Sequence, residues 1–187
     1  IDGGAGDDYH TAFTKTEANF TELFGIFDAF SSVVITQESD FPVQDATTIT
    51  LESKQIYVIA ADMSTGKRFI CQSGSKITGN NQLGATLTYT GTSAMFTMDD
   101  ASFIIADITL IAATAAQAFD FSDTVGGTFL FIMERTTILT VPKFGTFDSA
   151  LTVLITASNC FDCNDGVTIL GTSQVVLSLN LFGLVST

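Results

Sequence analysis

Two hydrophobic patterns follow one another along the chain. Up to about residue 30 the apolar residues keep helical spacing. Phe13, Phe20 and Phe27 stand seven apart, Leu23 and Phe30 occupy the d positions between them, and Phe24 lies alongside at e. Thr16 is the d position that breaks the series. A stripe of this kind needs a partner, and about three heptads are too few for a self-sufficient coiled coil. The alternative is a helix packed on its own domain. Asp7 or Asp8 can cap this helix, because a carboxylate there accepts from free backbone N–H groups. From about residue 47 the period becomes two and the segments become short. Strands are predicted at 48–51, 55–59, 68–71, 86–89, 95–98, 103–105, 108–111, 118–121, 129–132, 138–141, 151–155, 167–170 and 175–179. Gly, Asn, Asp and Ser punctuate them.

These strands carry a weak repeat. Phe96-Thr-Met98 matches Phe119-Asp-Phe121, and Ile108-Thr-Leu110 matches Phe131-Ile-Met133 at the same offset. Val167 follows Phe144 at that interval again. A coil of a parallel β-helix takes a repeat of this size and buries its inward side chains against the coils above and below. The expected fold is therefore mainly β: a short N-terminal helix, trimeric through its stripe, then a right-handed parallel β-helix. A β-sandwich or jelly roll is the alternative. The expected organisation is a Gly-rich leader and helix over 1–31, a linker over 32–46, which also reads as a first strand, and a β-solenoid body over 47–187.

Composition narrows the function classes. Hydrophobic residues make up 46% of the 187 and charged residues 14%, so the chain must bury its surface within itself or against copies of itself. Seven Lys and Arg face twenty Asp and Glu, a net charge of −13. That balance opposes nucleic-acid binding, where cationic contacts to phosphate dominate, and opposes anionic membrane surfaces. The most membrane-like window, 102–119, is interrupted by Asp107, so a pair of buried strands is expected there rather than a membrane span. No secretory signal is visible, and the first residue is Ile rather than Met, as in a processed chain or part of a longer product.

Candidate chemistry is sparse. Cys160-Phe-Asp-Cys163 has C-x-x-C spacing, but there is no second pair and the single histidine is His10. Zinc takes about four ligands, so no metal is expected, nor any cofactor. Asp99, Asp100, Asp107, Asp120, Asp123 and Glu134 are the acids that could supply a glycosidase pair, which needs two carboxylates about 5–10 Å apart. Adjacent strand residues point to opposite faces, so Asp99-Asp100 reads as a turn. With no Trp and three Tyr there is little aromatic platform for a sugar. The expectation is a non-enzyme.

The stretch from Gly6 to Leu23 resembles the segment opening many tailed-phage fibre and virion proteins, of the form G-D-x-x-R-T-A-F-x-K-x-N-x-N-F-x-E-L-Y. Gly6, Asp7, Thr11, Ala12, Phe13, Lys15, Asn19, Phe20, Glu22 and Leu23 stand at the matching positions. His10, Glu17 and Phe24 depart from it. The rungs around 87–96 and 118–122 are similar, more diffusely, to β-helical phage proteins. The resemblance implies a homotrimeric fibre or spike stem in the virion, anchored to head or tail proteins by its N-terminus. Gly6, Asp7, Thr11, Lys15 and Asn19 are then the attachment residues, and Phe13, Phe20, Leu23, Phe27 and Phe30 the oligomer interface. The alternative is a tailspike or adhesin that binds or cleaves host glycans. The chain ends on Leu184-Val-Ser-Thr187 without a polar cap, which places receptor binding beyond it.

Overall fold

The computed structural model describes residues 31–80, 84–98, 102–122, 129–148, 150–171, 174–178 and 181–182. The predicted N-terminal helix, with all its interface and attachment residues, lies outside the described residues, as do Asp99, Asp100 and Asp123.

The described chain is a parallel β-solenoid of about six turns. Its strands line three faces. The first face is one sheet of seven strands, β1 (Ser32–Ile35), β3 (Ile56–Ile59), β6 (Ser75–Gly79), β9 (Phe103–Ala106), β12 (Phe129–Glu134), β14 (Ala150–Thr156) and β17 (Gln174–Ser178). The second face holds β4 (Met63–Thr65), β7 (Thr86–Tyr89), β10 (Thr109–Ile111), the start of β13 (Thr137–Asp148), β15 (Asn159–Cys160) and β18 (Leu181–Phe182). The third face holds β2 (Thr48–Leu51), β5 (Arg68–Cys71), β8 (Phe96–Met98), β11 (Phe119–Phe121), the end of β13 and β16 (Cys163–Leu170). β13 runs unbroken round a corner and joins the second and third faces into one eleven-stranded sheet.

Alternation makes these strands. In β2, β3, β6 and β7 every second residue is buried and the others are half-exposed, as the two-residue period of a pleated strand requires. The inward residues stack from coil to coil. Phe41, Phe69, Phe96 and Phe119 form a ring ladder with centroids 5.5, 5.2 and 5.4 Å apart. The next rung is Gly145. A Cβ there would lie 2.7 Å from the Phe119 carbonyl oxygen and 2.9 Å from its Cβ. Phe144 and Phe147 fill the space instead, each within ring contact of Phe119. Ser75 Oγ is the one buried side-chain oxygen without a partner among the described residues.

The match between Phe96 and Phe119 is a true rung, the two residues pairing on neighbouring strands. The other two proposed rungs are corrected. Leu110 pairs with Ile138, and Phe131 pairs with Phe103, both over a longer interval than the expected one. Val167 pairs with Gly145 rather than Phe144. The spacing is uneven because the corners differ in length. The coil that brings Ile56 to Lys76 is short, whereas the next, from Ser75 to Phe103, takes a longer loop between its strands.

One corner has a recurrent backbone solution. Asp107, Arg135 and Ala157 each follow a first-face strand and adopt φ of 54, 44 and 48°. They are stacked, since Ala106 pairs with Glu134 and Glu134 with Thr156. Their backbone N–H groups continue the ladder, Asp107 donating to Glu134 O at 3.1 Å and Arg135 to Thr156 O at 3.0 Å. This left-handed region costs a side-chain-bearing residue roughly 1–2 kcal/mol. The ladder bonds on either side hold it there.

Candidate assembly face

The outward side chains separate the faces. On the third face the central outward row is Thr50, Ile70, Thr97, Asp120, Thr146 and Thr168. On the second it is Ser64, Thr88, Ile111 and Thr140. Hydroxyls dominate both. On the first face the corresponding row runs Ser32, Ile56, Lys76, Ile104, Ile132, Leu154 and Val176. Val34 and Val58 begin the row beside it. Val34 is 59% exposed and Val176 36%, with the isoleucines and Leu154 half-buried between their neighbours.

This row is straight because the register holds from coil to coil. At about 4.8 Å per strand, Ile56 to Val176 makes an aliphatic stripe about 24 Å long. Its single cation is Lys76, and Glu134 stands in the adjacent row. Parallel strands covered on both sides read as continuous apolar runs, whereas strands with one wet side alternate. Ile56-Tyr-Val-Ile59, Phe103-Ile-Ile105 and Phe129-Leu-Phe-Ile-Met133 are of the first kind; Thr86-Leu-Thr-Tyr89 and Phe119-Asp-Phe121 are of the second. That difference was the sequence signal for this face. Counting every such run simply as a strand hides it.

Of the described acids, Asp107 and Glu134 share the Arg135 guanidinium, and Asp120 stands apart from them. Asp107 receives Arg135 Nε and Nη2 at 2.6 and 2.7 Å. These hydrogen bonds, and the charge behind them, hold its carboxyl below the usual range, which suits a fixed anion and opposes a general acid. Glu134 lies 3.6 Å from the same guanidinium. Asp120 is on another face and accepts from Ser122 Oγ at 2.6 Å.

Cys160 and Cys163 both point inward, one rung beyond Ile138 and Val141, and are buried free thiols. Burial first, then the neighbouring Cys163, pushes the Cys160 thiol up, and burial raises Cys163, whose Sγ donates to Asp165 O at 2.8 Å. Neither is activated as a thiolate nucleophile or ligand. Among the described residues no group of three or more His, Cys, Asp or Glu could hold a metal. No helix among them is long and apolar enough to cross a membrane.

One shallow cleft of about 350 Å³ crosses the corner between the second and third faces, lined by Thr47, Gly66, Arg68, Tyr89, Gly91 and Ser93 among others. Tyr89 and Ser93 share a hydroxyl hydrogen bond of 2.7 Å. A Cβ on Gly91 would collide with the Tyr89 hydroxyl and lie 2.8 Å from Gly66 O. Lys67, next in sequence, is tied to Glu38 at 2.9 Å. Arg68 makes no ion pair among the described residues. No protein-family model matches the chain, and comparison with curated proteins finds no match.

Proposed function

We propose that this chain is a structural virion protein, a homotrimeric fibre or spike stem fixed by its N-terminus to other head or tail proteins. In this reading it acts by assembly rather than by catalysis. The observation that carries the reading is the aliphatic stripe on the first face. The stripe from Ile56 to Val176, broken only by Lys76, lies beside two faces whose central outward rows are mostly hydroxyl, and a contiguous apolar surface of this kind marks an interaction site. Completing the burial of each half-covered Ile or Leu contributes about 1 kcal/mol, gained by every copy along the stripe. The segment 6–23 supports the virion setting and the anchoring polarity through its resemblance. Right-handed winding is the sense expected of parallel crossovers, and the Phe13–Phe30 helix would add a second trimer contact.

The test is incorporation into particles. A chain lacking residues 1–12 should remain a folded trimer and be missing from purified virions. Normal occupancy of the truncated chain would place attachment elsewhere.

A second reading, glycan binding, is favoured by the Arg68 cleft. An unpaired guanidinium among hydroxyls fits a carboxylate-bearing sugar. Glucuronate should then bind weakly and Arg68→Ala should abolish that binding. Equal binding by the variant would remove this reading.

A further inference from the structure

Cys160 and Cys163 stand on either side of one corner, at the end of β15 and the start of β16. Each lies one rung beyond a fully buried aliphatic, Ile138 and Val141, and points inward as those do. The chain between them bends at Asp162, whose φ is 52°. Ladder bonds fix both arms of the bend. Asn159 N donates to Thr136 O at 2.9 Å, Phe161 N to Ile138 O at 2.8 Å, and Asp162 O accepts from Val141 N at 3.3 Å. The two inward side chains converge, and the Cys160 thiol donates to Cys163 Sγ.

The two sulfurs are not equivalent. A Cys163 thiolate has two donors beside it, the Cys160 S–H and the Phe144 backbone N–H. At Cys160 the same contact favours the protonated thiol. Cys163 is therefore the sulfur that attacks and Cys160 the one that closes on it. Cys71 is set apart from both, packed between Leu51 and Met98 on the coils below and above.

We propose that Cys160 and Cys163 are a disulfide-forming pair, closed by a small hydroperoxide, that pins the corner between the second and third faces. The Cys163 thiolate attacks one oxygen of hydrogen peroxide, the O–O bond breaks, and hydroxide leaves. The sulfenic acid so formed is attacked by the Cys160 sulfur, which makes the S–S bond and expels the hydroxyl as water. Each sulfur is oxidised by one electron, the peroxide is reduced by two, and both thiol protons end in the two waters. At 1 and 2% exposure the pair is reached only through a local opening, which suits an oxidant of this size. Burial keeps both thiols protonated at neutral pH, so closure is slow and calls for sustained exposure. The ladder bonds leave the strands in place, and the side chains turn to meet.

Peptide mapping tests this on the full chain, reduced, folded and held in hydrogen peroxide at about pH 9, where more thiolate is present. The protein is then unfolded in acid, alkylated and cut after its basic residues. The last of these is Lys143, so both cysteines fall in 144–187, and Cys71 falls in 69–76. The peptide 144–187 should be lighter by two hydrogens and resist alkylation until reduced, while 69–76 is alkylated in full. In Cys160→Ser, Cys163 should stop at the sulfenic acid and be trapped by dimedone. Cys163→Ser should give at least about tenfold less adduct at Cys160. In the oxidised parent the Phe161 amide should exchange at least about fivefold more slowly than in the reduced one. Three alkylatable thiols after peroxide, equal oxidation of Cys71, equal dimedone adducts in the two variants, or an unchanged Phe161 amide would overturn the proposal.

Discussion

The first and third faces share an interior and differ outside. Inward, both contribute to one Phe-rich core, and Phe103 of the first face lies 5.4 Å from Phe96 of the third. Outward, one carries Ile104, Ile132 and Leu154, and the other Thr97, Asp120 and Thr146. Stacked threonines satisfy the needs of a β-strand, a branched side chain on a pleated surface, while keeping a hydroxyl in water. Isoleucine meets the same strand requirement with no hydroxyl. The strand propensity is therefore equal and the exchange with solvent is not, so the needs of the sheet do not account for the Ile row, and the proposed trimer contact does.

The largest effect expected is on the shared interior. Phe119→Ala removes a ring touching Phe96, Phe131, Phe144 and Phe147 and should cost about 3–5 kcal/mol in denaturant unfolding. Gly145→Ala, pressed against the Phe119 backbone, should cost about 1–3 kcal/mol. Neither loss should depend on protein concentration beyond that of the parent, since both act inside one chain. A purely concentration-dependent loss would mean that the core is formed between chains.

Ala157→Gly sharpens the account of the corners. At φ 48° the alanine is strained where glycine is not, so the variant should be stabilised by about 0.5–1 kcal/mol. A loss of stability would show that the neighbouring ladder bonds need the stiffer residue.

The smallest effect should be on the segment between β1 and β2. Asp40 accepts from Thr36 N and Oγ1 at 2.8 Å each, and Asp45 from Thr47 N at 2.7 Å and Thr48 Oγ1 at 2.8 Å. These donors pull both carboxyls down from 3.8 to about 2. A folded pKa below the unfolded one contributes stability that is present above the unfolded value and fades as pH falls from about 4 towards 2. Amides of residues 36–50 should therefore exchange faster across that window while those of β12 do not. Uniform loosening of both would show that these carboxylates do not hold that segment in particular.

Much of the fold was legible. Alternation found most of the strands, and Phe96 and Phe119 announced one coil spacing. The remaining register was hidden because the corners absorb unequal lengths of chain, as the coils from Ile56 to Lys76 and from Ser75 to Phe103 show. The corner after β9, β12 and β14 also turns through left-handed Asp107, Arg135 and Ala157 instead of glycine. β13 escaped division into two strands because Val141 and Phe144 stay buried across an unbroken bend. The candidate assembly face was legible only in part. Its continuous apolar runs are equally those of a buried strand, and which side of each run faces outward depends on the register. The helical stripe from Phe13 to Phe30, the interface the sequence does advertise, falls outside the described residues.

The central claim is that the first face, and not the third, joins copies of this chain. Multi-angle light scattering on three proteins tests it: the parent, Ile104→Asp with Ile132→Asp, and Thr97→Asp with Thr146→Asp. Each substitution keeps its residue on an outward position, so the fold should survive in all three by circular dichroism. The parent and the threonine variant should run at three times the 19.8 kDa chain mass, and the isoleucine variant should fall to lower mass on dilution, because charge in the stripe has no partner. A parent that is monomeric, or an isoleucine variant that stays as large as the parent at every concentration, would contradict the account.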